Sequence, residues 1–217
     1  MCVIINKPRD IRISRDTLRK CWKANPHGAG FMYVESGNLN IFKGLMTFED
    51  FYNEFKKVNE DRHVVIHFRL ASYGAIVPEQ THPMLINPNL AFVHNGHMLN
   101  QFIKEATNKG LSDTMVFNQK ILQKLPTNFL DTPVLTELIT GYIDCSVMLF
   151  LDSDDKVTIL GDQHGSCVFK GSWFSNEFWD DSYETEAPSL DDRIYDFKDD
   201  LFDNRGHNSY MASQDDD

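Results

Sequence analysis

Cysteine is scarce in this chain and its four copies stand far apart: Cys2, Cys21, Cys145 and Cys167. There is no CxxC pair and no metal-ligand spacing. Such usage argues against a disulfide scaffold or a structural zinc site and suits a reducing cytosol. No apolar run approaches the ~20 residues of a membrane-spanning helix. The basic-then-apolar pattern of a secretory leader is also missing, so a cytoplasmic protein off the membrane is expected. Neither GxGxxG nor a P-loop occurs, which removes the usual phosphate-cradling loops. An excess of positive charge is absent too: the net charge is −11.

That charge is unevenly placed. Residues 1–179 carry 19 acidic and 18 basic side chains, whereas residues 180–217 carry 13 and 3. The body is nearly neutral and the acidity sits in a tail. Direct nucleic-acid binding normally needs a basic patch, so none is expected. At 41% hydrophobic residues, 217 residues suffice for one domain with a substantial core. The reading is a domain over residues 1–180 and an acidic tail over 181–217. Within the tail Leu190, Ile194, Phe197 and Leu201 share one helical face, giving a possible docking helix at about 190–202, packed on the domain itself or on a partner protein.

Short apolar runs mark strands at Val3–Ile5, Phe31–Val34, Leu39–Phe42, His63–Phe68 and Leu90–His94. Ser14 and Ser112 suit helix N-caps, for helices through about Lys23 and Lys124, and Thr47 with Asp50 resembles a capping box before a helix reaching Val58. Residues 70–89, with three prolines, read as a long loop, and loops of that length are often functional. A helix is expected from Pro133 to about Tyr142. A hairpin follows over 146–160, then one strand over 168–174. Strands, helices, then strands again suit a layered α+β domain rather than a doubly wound nucleotide fold.

Cys2 carries the first chemical signal. Taken alone, it is a small apolar residue opening a buried strand. If Met1 is removed, however, the residue holds a thiol and a free α-amine. An α-amine titrates near pH ~7.7–8.0, so it can accept a thiol proton at neutral pH.

Further signals follow in order. Gly28-Ala29-Gly30 precedes a strand. His67-Phe68-Arg69-Leu70-Ala71-Ser72-Tyr73-Gly74 ends another. Thr81-His82-Pro83 lies in the long loop, and Phe92-Val93-His94-Asn95-Gly96 precedes Ser112-Asp113-Thr114. Asn95-Gly96 by itself is a strong hairpin signal, Arg69 by itself a strand-end arginine, and Asp113 by itself a favourable helix-start acid. As an ordered set, they resemble the glutaminase domain of class II glutamine amidotransferases, which are N-terminal nucleophile hydrolases. The resemblance covers roughly residues 2–180, including Gly171-Ser172-Trp173-Phe174-Ser175-Asn176.

That resemblance implies a four-layer αββα sandwich of antiparallel sheets. It makes Cys2 the nucleophile and Asn95 and Gly96 the oxyanion hole. Arg69 would hold the α-carboxylate of glutamine and Asp113 its α-ammonium, with Ser72 at a substrate-side hydroxyl position. Tyr73, Met115 and His27 depart from the common pattern, and His82 and His94 read as structural. The chemistry needs no metal or organic cofactor. The ammonia formed would serve a separate synthase protein. Two other readings stay open: an N-terminal nucleophile hydrolase acting on another amide, and a catalytically silent binding module working through its acidic tail.

Overall fold

The computed structural model describes residues 1–143, 145–161, 163 and 165–180. The acidic segment from 181 onward, with the docking helix expected at 190–202, lies outside the described residues.

Among the described residues, ten strands form two antiparallel sheets. The first sheet contains β1 (Val3–Lys7), β2 (Ala29–Glu35), β3 (Asn38–Leu45), β4 (Val64–Phe68), β9 (Cys167–Phe169) and β10 (Ser172–Phe174), in the order β3-β2-β4-β1-β10-β9. The second contains β5 (Met84–Asn87), β6 (Leu90–Asn95), β7 (Val147–Asp152) and β8 (Val157–Gly161), in that order. The strands nearest the middle, β1 and β4 in one sheet and β6 and β7 in the other, are almost continuously apolar because both faces are covered.

Alternation along each strand divides the core into three. Ile4, Met32 and Val65 point from the first sheet toward Ala91, Val93, Val147, Leu149 and Leu151 of the second. On the outer face of the first sheet, Val3, Ile5, Phe31, Ile66 and Phe68 pack under α1 (Arg15–Ala24) and α2 (Phe48–Phe55). On the outer face of the second, Leu90, Phe92, Met148 and Phe150 pack under α3 (Asn100–Lys109), α4 (Asp113–Lys120) and α5 (Pro133–Ile143). Two sheets face to face, with helices outside each, make a four-layer αββα sandwich.

The helix starts are set by local chemistry. Ser14, Thr47 and Ser112 each accept the backbone N–H three residues on. At Thr47 the box is modified. Its hydroxyl donates to the Asp50 carboxylate at 2.7 Å, so the shorter acid meets the hydroxyl rather than the cap's own N–H.

Several expectations need correction. The 70–89 stretch is not all loop: Met84–Asn87 forms the edge strand β5, paired with β6. The single strand expected over 168–174 is a hairpin, β9 and β10, turning at Lys170-Gly171, both at positive φ. The Phe48 helix stops at Phe55, before Val58, and α4 stops at Lys120, with a short 3-10 turn at Leu122–Lys124. Helix α3 has no counterpart in the sequence reading. It starts after Leu99 without a side-chain cap and ends at Gly110 in the left-handed conformation.

Candidate active site

The candidate residues converge at one end of the two sheets. Cys2 precedes β1, Arg69 follows β4, and Asn95 ends β6. Because β4 runs antiparallel to β1, Val3 faces Phe68, which brings Cys2 beside Arg69 and Leu70. A small cleft there encloses about 340 Å³, including its open mouth. It is lined by Cys2, Arg69 to Tyr73, His82, Gly96 and Asp113, among others. It is small and opens directly to solvent. Larger hollows elsewhere, such as that beside Lys7 and Tyr52, have no cysteine in their lining.

The Cys2 sulfur is held by one residue. The Leu70 N–H approaches it at 3.4 Å and its thiol reaches the Leu70 carbonyl at 3.6 Å. Burial raises the thiol pKa and nearby Asp113 adds to this. The Leu70 hydrogen bond, the N-terminal ammonium and the Arg69 guanidinium oppose it, but burial dominates. The resting form is therefore the thiol, and attack requires a base.

Arg69 is 3% exposed. Its Nη1 donates to the Ala75 carbonyl at 2.8 Å and its Nη2 to the Tyr73 carbonyl at 3.1 Å. Burial lowers its pKa, while Cys2 and Asp113 act to raise it. Among the described residues no carboxylate lies within ion-pair distance of it. Two of its five N–H donors are used, leaving three for a ligand.

Asp113, the first residue of α4, is 5% exposed. One carboxylate oxygen accepts the Met98 N–H at 2.8 Å and the other accepts the Thr114 N–H at 2.9 Å. A carboxylate has about four acceptor sites, so room remains for an ammonium. Ser72 is exposed at the rim of the cleft.

Asn95-Gly96 is not a hairpin turn. β6 pairs with β5 and β7, and the chain continues from Gly96 into α3. Gly96 adopts φ +136°, and an added Cβ would lie 2.0 Å from Ser146 Oγ. Only glycine fits. Ser146 secures this corner by accepting the His97 N–H at 2.8 Å and donating to the His97 carbonyl at 2.9 Å. The Gly96 N–H has no acceptor among the described residues. Asn95 is 6% exposed and does not itself line the cleft. Its Nδ2 lies 3.0 Å from Ser175 Oγ, and its Oδ1 is buried without a partner.

Three residues noted in the sequence without a site role hold the site in place. His27, a departure from the family pattern, accepts the Ala71 N–H through Nδ1 at 2.9 Å and so fixes the loop behind Leu70. Asn176 donates to the Cys2 carbonyl at 2.7 Å. Ser175 accepts the Ile4 N–H at 2.9 Å. Only chain reversal through β9 and β10 brings Ser175 and Asn176 there. His82 lines the cleft with neither ring nitrogen hydrogen-bonded, and its ring meets that of His67 edge-on at 4.3 Å.

Solved structures share the fold. The glutamine phosphoribosylpyrophosphate amidotransferase of B. subtilis, complexed with ADP and GMP, superposes with a TM-score of 0.54. The allosteric regulatory enzyme of purine biosynthesis superposes with a TM-score of 0.50. Each is 18% identical over 80% of this chain. This chain has their fold. It spans only 41% of the length of either chain. No family model matches the sequence, and no curated protein does. None of the helices described is long and apolar enough to cross a membrane.

Proposed function

We propose that this protein hydrolyses the side-chain amide of free glutamine through Cys2. The observation that carries the reading is the meeting of three groups in one small cleft. A half-buried thiol, a buried guanidinium without a carboxylate, and a buried carboxylate with spare acceptor sites all line it. A cation and an anion flanking one cleft match the two charges of a free α-amino acid, and the thiol takes the third point. The fold shared with a glutamine amidotransferase supports the same substrate.

The steps follow from these groups. Removal of the exposed Met1 places the α-amine on Cys2. Arg69 binds the α-carboxylate of glutamine and Asp113 its α-ammonium, with Ser72 at the rim. The Cys2 sulfur bonds to the amide carbon while its proton passes to the α-amine, directly or through water. The Gly96 N–H and the Asn95 side-chain amide stabilise the resulting oxyanion. The carbon–nitrogen bond then breaks, and the amine returns its proton to the leaving ammonia. Water attacks the γ-glutamyl thioester, the thiol recovers its proton, and glutamate leaves. The ammonia is passed to a synthase on another protein, in the cytoplasm.

Ammonia release from glutamine tests this reading. Turnover is expected from the processed protein and not from Cys2→Ala. Turnover of another amide in preference to glutamine, unaffected by changes at Arg69 and Asp113, would favour the other-amide reading. A folded, processed protein that binds neither glutamine nor glutamine-like electrophiles would favour the silent module.

A further inference from the structure

We infer that Ser175 is a positioning residue that sets which end of the Asn95 amide faces it. This rests on the glutaminase reading for its catalytic consequence, but not for its geometry. Residues 175 and 176 continue the pairing of β10 with β1. The Ser175 N–H donates to the Ile4 carbonyl at 2.9 Å, Ser175 Oγ accepts the Ile4 N–H at 2.9 Å, and Asn176 holds the Cys2 carbonyl. The strand that carries the nucleophile is therefore clamped on both sides of Val3.

Ser175 Oγ also lies 3.0 Å from the terminal amide of Asn95, which comes from the other sheet. With Nδ2 turned toward it, Ser175 accepts two hydrogen bonds and its own hydroxyl proton has no acceptor. Asn95 Oδ1 is at the same time buried without a donor. Exchanging the two ends of the planar amide leaves every heavy-atom position in place and gives the Ser175 hydroxyl an acceptor. The Ile4 N–H then donates to Ser175 Oγ, the Ser175 hydroxyl donates to Asn95 Oδ1, and the Asn95 NH2 takes the side that lacked a partner. In this chain a backbone N–H of the nucleophile's own strand sets the polarity of the oxyanion donor.

A double-mutant cycle on the full chain tests it. Losing one oxyanion donor typically costs ~10²–10³ in turnover. Ser175→Ala keeps that donor but frees its orientation, so kcat for glutamine should fall about tenfold with KM changed by less than about twofold. In an Asn95→Ala background the same change should have almost no effect, because Ser175 acts through Asn95. An equal fold-loss in both backgrounds, or no loss in the parent, would overturn the inference. A parent protein that is folded but inert toward glutamine would defeat the glutaminase reading instead. Orientation is then read from a crystal structure at atomic resolution, which also serves if Ser175→Ala does not fold. Amide hydrogens pointing away from Ser175 are expected, and hydrogens pointing at it would overturn the proposal.

Discussion

The Leu70 N–H lies 3.4 Å from the Cys2 sulfur, and the Leu70 carbonyl receives the thiol at 3.6 Å. A single residue at the start of the 70–80 loop thus holds the proposed nucleophile with both its backbone groups. The same loop is fixed by Arg69 from within and by His27 from behind. Nucleophile placement and the substrate-facing loop are therefore one mechanical unit.

His27→Ala removes the acceptor of the Ala71 N–H and loosens that unit. One hydrogen bond is worth about 0.5–1.5 kcal/mol, so kcat/KM for glutamine is expected to fall by up to about tenfold. Labelling of Cys2 by a small neutral thiol reagent should not slow, since the loop opens rather than closes. Parallel assays of the two rates check the pattern.

Arg69 and Asp113 are expected to read the two charges of the substrate. Arg69→Lys keeps the charge but loses the fork, and Asp113→Asn keeps the shape but loses the charge. Removing a buried partner of a charge costs about 2–5 kcal/mol, so KM should rise at least about 30-fold for each. Glutamine should lose its advantage over an analogue lacking only the carboxylate in Arg69→Lys, and over one lacking only the ammonium in Asp113→Asn. Steady-state kinetics with the three compounds measure this.

Much of this site was legible in the sequence, but unevenly. Ser14, Thr47 and Ser112 announced their helices because capping is local chemistry. The central strands were legible because strands covered on both faces are continuous apolar runs. Strand β5 was not, because four residues among prolines carry no periodicity, and its pairing with β6 decides its state. Helix α3 lacked a cap signal at Leu99. Asn95-Gly96 carried a hairpin signal that the pairing of β6 with β7 overrode. The contacts of Ser175 and His27 were not legible because they reach Ile4 and Ala71, far away in sequence.

Gly96→Ala tests the corner that presents the oxyanion N–H. The positive φ alone costs an alanine about 1–3 kcal/mol. The new methyl also meets Ser146 Oγ at 2.0 Å and Cβ at 2.4 Å. Both thermal stability and turnover should drop, and Ser146→Gly in the same chain should restore stability only in part. Differential scanning calorimetry beside the glutamine assay reads the two effects.

Three buried histidines make stability depend on pH. Burial lowers the pKa of His67 to about 3 and of His94 to about 4, and it pushes His82 well below the usual value. The unfolded chain binds protons near pH ~6.5 that the folded chain refuses, so stability is full above that pH and is lost as pH falls. Each neutral histidine contributes a slope of up to ~1.4 kcal/mol per pH unit below that point. His67 donates Nε2–H to the His94 carbonyl at 3.0 Å, and His67→Asn can keep a donor there. That variant should show a shallower loss of denaturation midpoint between pH 6.5 and 5 than the parent. An unchanged slope would mean His67 is not refused its proton.

The central claim is that Cys2, freed of Met1, is a glutamine-directed nucleophile. Intact mass after incubation with a glutamine-mimicking thiol electrophile tests it most directly, comparing the parent chain with Cys2→Ala. The account predicts a parent lacking Met1 that gains one adduct, and a Cys2→Ala protein that gains none. Retained Met1, no adduct on the parent, or an adduct that persists in Cys2→Ala would contradict it.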